Sequence, residues 1–252
     1  MPRFFPIDIH SSKTPNIGEF FVFGERNSGT NFADALLRNN FPQLSASAND
    51  RMAKHGFRYG WKHGFPQMIA APDTTLAVVM FRDPERWVQS MHRQPWHGAK
   101  HLRELTFSDF LAAPWQSIVD EKNFGITSGA DPRAYAELQW DRHPLTGARF
   151  DNILQLRNAK SAGFLSLKNR FSNVIFARYE DVANAPAEFI NMIGQTYALT
   201  ARAKFVSVDQ QRGRKSDGKF VRHVYDDLTQ TDRDFIWSGL DTKQEEILGY
   251  IP

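Results

Sequence analysis

Phe20-Phe21-Val22-Phe23-Gly24-Glu25-Arg26-Asn27-Ser28-Gly29-Thr30-Asn31-Phe32 is the stretch that decides the fold. Its four leading apolar residues read as a buried strand, Gly24 to Gly29 as a loop, and the residues from Thr30 as a helix. A strand that passes through a short glycine-flanked loop into a helix is built to hold an anion. The first helical turn leaves backbone N–H groups unpartnered and carries the positive end of the helix dipole, so phosphate or sulfate is favoured there. Gly24 and Gly29 fall where the glycines of the nucleoside-triphosphate loop G-x-x-x-x-G-K-[ST] stand, but Thr30 and Asn31 replace its lysine and its hydroxyl residue. The cradle is kept without the groups that handle Mg-ATP, which points to a phosphate-bearing donor used without a metal.

A second segment, Thr75 to Arg93, repeats the arrangement. A continuous apolar run ends at Arg82, and Pro84 then opens a helix with Asp83 as N-cap, Glu85 in the first turn, and Trp87, Val88 and Met91 on one face. Arg82 therefore stands at the carboxyl end of a strand, the edge where open parallel sheets bind ligands, and its planar fork of donors suits a second phosphate. Ser90, eight residues on, lies about two turns into that helix.

Together these segments resemble the sulfotransferases that use 3′-phosphoadenosine 5′-phosphosulfate. Asn27-Ser28-Gly29-Thr30-Asn31-Phe32 lies on that family's loop Lys-Ser-Gly-Thr-[Thr/Ser]-Trp for the 5′-phosphosulfate, and Arg82 with Ser90 matches its pair for the 3′-phosphate. Val174–Arg178 leading into Tyr179-Glu180-Asp181 is similar to its strand followed by Tyr-Glu-Asp, whose tyrosine lies near the adenine. The basic, glycine-containing run with Arg212, Gly213, Arg214 and Lys215 resembles the loop that folds over the 3′-phosphate. The resemblance spans Phe20 to Lys219, with no motif between about Pro95 and Asn152. It implies an α/β fold of three layers, P-loop-like, with a central, mostly parallel sheet flanked by helices. Residues 1–252 form one domain on this reading.

The family's loop lysine is replaced by Asn27. Arg26 is one substitute, always charged but a poorer proton donor, and Lys62, in Tyr59-Gly60-Trp61-Lys62-His63, is another, on a loose match to the family's Lys-x-His strand. Sulfuryl transfer needs a base for the acceptor, donors for developing charge and an in-line arrangement. His63 is the candidate base, with His55 its rival, and Arg26, Lys62 and the N–H groups of Ser28, Gly29 and Thr30 are candidates to receive charge. No metal role is required. The acceptor is a small molecule or carbohydrate, with Gln94–His101 and Phe124–Asp131 as candidate walls. A non-catalytic nucleotide- or glycan-binding protein and a P-loop kinase are the alternatives.

Composition agrees. The 252 residues are 41% hydrophobic with a net charge of only +3, which suits one globular chain, and the glycines and Asp217 within the basic run argue for a shaped anion-binding loop more than a nucleic-acid tail. There is no cysteine, which excludes disulfides and thiol chemistry. No apolar run reaches membrane-spanning length and the first residues lack a signal-peptide pattern, so no membrane insertion and a cytoplasmic location are expected. Further elements expected are helices at Thr30–Asn39, Pro84–Arg93, Phe107–Ala112, Pro132–Trp140, Ile153–Arg170, Ala187–Tyr197, Thr231–Ser238 and Thr242–Leu248. Strands are expected at Glu19–Phe23, near Arg58–Lys62, at Leu76–Arg82 and at Val174–Arg178.

Overall fold

A computed structural model describes residues 8–10, 16–46, 60–67, 71–119, 126, 130–209 and 223–252. Its centre is a sheet of five strands, β1 (Asp8–His10), β2 (Glu19–Phe23), β3 (Ser45–Ala46), β4 (Thr75–Phe81) and β5 (Asn173–Arg178), in the order β1-β5-β4-β2-β3. β3, β2, β4 and β5 run parallel, with Val22 opposite Val78 and Val78 opposite Ile175; β1 lies antiparallel on the β5 edge. All seven residues of β4 are buried, as a central strand covered on both faces requires.

The period of two divides the strands between two cores. Phe21, Phe23, Val79, Phe81 and Phe176 face one way, onto α2 (Pro84–Arg93), α3 (Phe107–Ala112), α4 (Ile153–Leu165) and α7 (Gln230–Gly239). Phe20, Val22, Val78, Met80 and Ile175 face the other, onto α1 (Thr30–Asn40), α5 (Tyr179–Asn184) and α6 (Pro186–Thr196). A last helix, α8 (Thr242–Ile247), packs beside α4. The protein is thus α/β, a mostly parallel sheet between two helical layers.

Parallel strands put all their carboxyl ends on one edge. The turns from β2 into α1, from β4 into α2 and from β5 into α5 therefore meet there, which assembles the candidate site from segments far apart in sequence.

Two expected elements are different. Pro132–Trp140 is not a helix: Tyr135 has a left-handed φ of 63°, its N–H donates to the Val119 carbonyl, the Val119 N–H donates to Ala136, and only Gln139–Asp141 makes a tight helical turn. Hydrogen bonding to a distant segment overrides local propensity there. Gly60–Lys62 is not a strand; Gly60 has a φ of 78°, and a turn closes with the Gly64 N–H on the Trp61 carbonyl, while Arg58 and Tyr59 lie outside the described residues. The helix from Ile153 runs through Gly163 and tightens at Ser166–Asn169.

Candidate functional site

The loop from Gly24 to Gly29 is shaped by three residues with positive φ: Gly24 (147°), Asn27 (61°) and Gly29 (89°). Asparagine tolerates the left-handed region, and the side chain of Asn27 makes use of it, since Nδ2 donates to the carbonyls of Ser90 (3.1 Å) and Gln94 (3.0 Å) at the end of α2. Gly29 is confined by Tyr179, because a Cβ there would lie 2.3 Å from the ring. Ser28 is 2% exposed, and its Oγ has no hydrogen-bond partner among the described residues. A Cβ on Gly24 would come within 2.7 Å of that oxygen, so the hydroxyl points across the inside of the loop. A buried, unpaired hydroxyl is costly unless something binds it. Thr30, buried, begins α1.

Lys62 and His63 are drawn to this loop by their own bonds. The Gly24 N–H donates to the Lys62 carbonyl at 3.1 Å, and Lys62 Nζ donates to Asn31 Oδ1 at 2.8 Å, placing an ammonium against the first turn of α1. His63 Nδ1 lies 2.6 Å from the Gly24 carbonyl, which can only accept, so Nδ1 carries the proton and Nε2 keeps the lone pair. Burial, and then the Lys62 charge, push the His63 imidazole well below the ordinary histidine value of 6.5, against the pull of the Gly24 carbonyl. The ring is therefore neutral near pH 7, in the state a base needs.

Arg82 closes the other side. Its Nη1 donates to the Asn27 carbonyl at 2.9 Å, its guanidinium lies 5.2 Å from the Tyr179 ring centre and 5.9 Å from that of Tyr225, and its Nε is buried without a hydrogen-bond partner among the described residues. Ser90 is linked to Arg82 through Asn27, which bonds to both. Tyr179 stands edge-on to Phe32 at 6.1 Å, forming an aromatic wall beside Gly29. The rest of Tyr-Glu-Asp is structural. Glu180 accepts from the Asp83 N–H and from Tyr250, and Asp181 accepts from Arg178. Burial raises the Glu180 carboxyl above its ordinary value.

Arg26 requires a correction as a group facing the donor. It is 1% exposed and lies over Trp61 and Trp115; Nε bonds to Glu25 (2.9 Å), Nη1 to the Trp96 carbonyl (3.2 Å) and Ser117 (3.3 Å), and Nη2 pairs with Asp141 (2.6 Å). Burial opposes the charge, yet Asp141 and Glu25 hold the guanidinium above its ordinary value. Its donors serve the interior of the protein. Lys62, by contrast, sets its ammonium against the first turn of α1.

No family model, curated protein or solved structure matches this chain. The site stands on its own geometry.

Arg212, Gly213, Arg214 and Lys215 lie outside the described residues, as do His55 and most of Phe124–Asp131. The segment that follows the basic run nevertheless comes back to the site: Gln89 Nε2 donates to the Asp226 carbonyl at 2.8 Å, and Tyr225 covers Arg82. From the sequence, Asp141 is placed only near the acceptor opening, with Arg142 and His143, and Lys160 is not singled out; both are buried and joined to the Arg26 cluster. Position alone marks neither. Lys160 falls among apolar positions of α4, which is the one trace of its burial. Among the described residues no helix is long and apolar enough to cross a membrane.

Proposed function

We propose that the protein is a sulfotransferase that moves the sulfuryl group of 3′-phosphoadenosine 5′-phosphosulfate to a hydroxyl, or an amine, of a small-molecule or carbohydrate acceptor, on a P-loop-like fold. The observation that carries the reading is one loop with a polar group in want of a partner at each side: Ser28 Oγ inside the cradle and Arg82 Nε beyond it. That suits a ligand with two separate anionic groups.

On this reading the N–H groups of Ser28, Gly29 and Thr30 and the Lys62 ammonium hold the 5′-phosphosulfate, Arg82 and Ser90 the 3′-phosphate, and Tyr179 and Phe32 the base. The donor supplies an activated sulfuryl group. His63 Nε2 takes the acceptor proton as the new bond to sulfur forms, and Lys62 receives the negative charge left on the 5′-phosphate as the old S–O bond breaks. The protein is cytoplasmic on the same reading.

Titration calorimetry with 3′-phosphoadenosine 5′-phosphate, in parallel with 5′-AMP and with Mg-ATP, tests the donor site. Selective binding of the first is expected. Binding of Mg-ATP alone would replace this reading with a kinase, and selective binding without turnover on any acceptor, with labelled donor, would favour a non-catalytic nucleotide-binding protein.

A further inference from the structure

Behind the loop lies a buried group of four charges that the proposed reaction does not use: Glu25 (7% exposed), Arg26 (1%), Asp141 (4%) and Lys160 (1%). Asp141 pairs with Arg26 and, by a short contact, with Lys160; Lys160 also pairs with Glu25 at 3.2 Å, and Glu25 with Arg26 at 2.9 Å. Two cations and two carboxylates leave the group neutral. Trp61 lies against both cations, Phe65 against Lys160, and Ser117 and Trp115 Nε1 complete the contacts of Asp141. Replacing a buried ion pair with apolar side chains is often neutral or stabilising, so stability is a weak reason to carry four such charges. Geometry is a better one, because the group ties α4, the loop and residues 115–117 and 141 to a single point.

That point is His63. Lys160 Nζ donates to the His63 backbone carbonyl at 2.5 Å, while the ring Nδ1 of the same residue bonds to Gly24 and the Gly24 N–H bonds to Lys62. We infer that Lys160 is a positioning residue: held by Asp141 and Glu25, it fixes the backbone of His63 so that the Nδ1–H meets the Gly24 carbonyl and Nε2 faces the reacting group. The assignment of His63 as base rests on the sulfuryl-transfer reading; the tethering of its ring does not. After burial, the groups that act most on the charge of that ring are Lys62, the Gly24 carbonyl, Arg26 and His97.

Nitrogen-15 spectroscopy of the histidine rings tests this without any ligand. In the unaltered protein, His63 at pH 7 is expected as the Nδ1–H tautomer; an Nε2–H tautomer, or a cationic ring, overturns the inference. Lys160→Met leaves the remaining charges unbalanced and is expected to unfold more easily, so the deciding variant is the charge-balanced Lys160→Met/Asp141→Asn. In it, His63 is expected to show both tautomers and a titration midpoint moved toward the ordinary value. A folded double variant with an unaltered His63 overturns the positioning role. If the donor is confirmed, the double variant should also lose kcat on the order of 100-fold, the effect of a small misplacement, while keeping its affinity for 3′-phosphoadenosine 5′-phosphate. Failure of that ligand to bind the unaltered protein counts against the donor assignment alone, since the tautomer is read separately.

Discussion

Asn27 and Arg26 show how far a residue's neighbours in space decide what it can do. At the place where the resembling family carries lysine, the side chain caps the end of a helix, and the adjacent arginine is turned into a buried ion group. The two candidate cations therefore separate cleanly by experiment. Lys62→Ala is expected to lower turnover by about 10²–10³, the usual effect of removing a donor aimed at developing charge, with a stability loss of about 1 kcal/mol from the Asn31 bond. Arg26→Gln should do the reverse. It leaves Asp141 and Glu25 sharing the single buried charge of Lys160 and is expected to cost about 3–5 kcal/mol in guanidinium unfolding, as broken buried pairs do. If Arg26→Gln unfolds normally yet loses turnover, Arg26 regains the catalytic role. Gly29 gives a third test: a Cβ there meets the Tyr179 ring and a φ of 89° strains any side chain, so Gly29→Ala is expected to abolish binding of 3′-phosphoadenosine 5′-phosphate in calorimetry.

At the scale of elements, the carboxyl edge of the sheet gathers three strand-to-helix turns, and each adds one part. The β4 turn adds Arg82. Its replacement by Ala is expected to weaken 3′-phosphoadenosine 5′-phosphate by about 10–100-fold, the worth of one charge-assisted contact, and to change 5′-AMP little, since only the first carries a 3′-phosphate. Equal losses for both ligands would show that Arg82 acts through the Asn27 carbonyl and the loop instead. This element was legible in sequence because its signals are local: a continuous apolar run, Asp83 as N-cap accepting from the Arg86 N–H, and proline in the first turn. β2, α1 and β5 were legible for the same reason. What was hidden depends on distant partners. Tyr135 leaves the helical region because Val119 bonds with its neighbourhood, and Arg26 is buried because Asp141 and Lys160, 115 and 134 positions away in the chain, meet it or its partner Glu25. Edge strands β1 and β3 are too short, at three and two residues, to leave a pattern.

Across the whole molecule, the site is coupled to folding through groups that must stay in one protonation state. His63 is held neutral in the folded chain, its value pushed well below 6.5 by burial and by Lys62, whereas the unfolded chain binds the proton near that ordinary value. The sign follows from proton counts: in the window below about pH 6.5 the unfolded state holds more protons, so stability rises with pH through it and is lost as pH falls toward the folded value. Other acidic groups contribute lower down. Glu137, paired with Arg142 and Arg149, is held at about 2, so its share is present above the ordinary carboxylate range and is lost only as pH falls below that range toward 2. Glu180, raised by burial, acts in the opposite sense above its ordinary value, and a variant that changes His63 alone keeps both carboxylate contributions, so the difference between the two proteins isolates the histidine. His63→Asn keeps a side-chain N–H for the Gly24 carbonyl and removes the titration. Unfolding free energies from guanidinium titrations between pH 5 and 8 are therefore expected to fall toward pH 5 in the unaltered protein and to fall less in the variant. A slope identical in both would mean that the ring takes up its proton in the folded state as readily as in the unfolded one, so that burial and Lys62 do not lower its proton affinity.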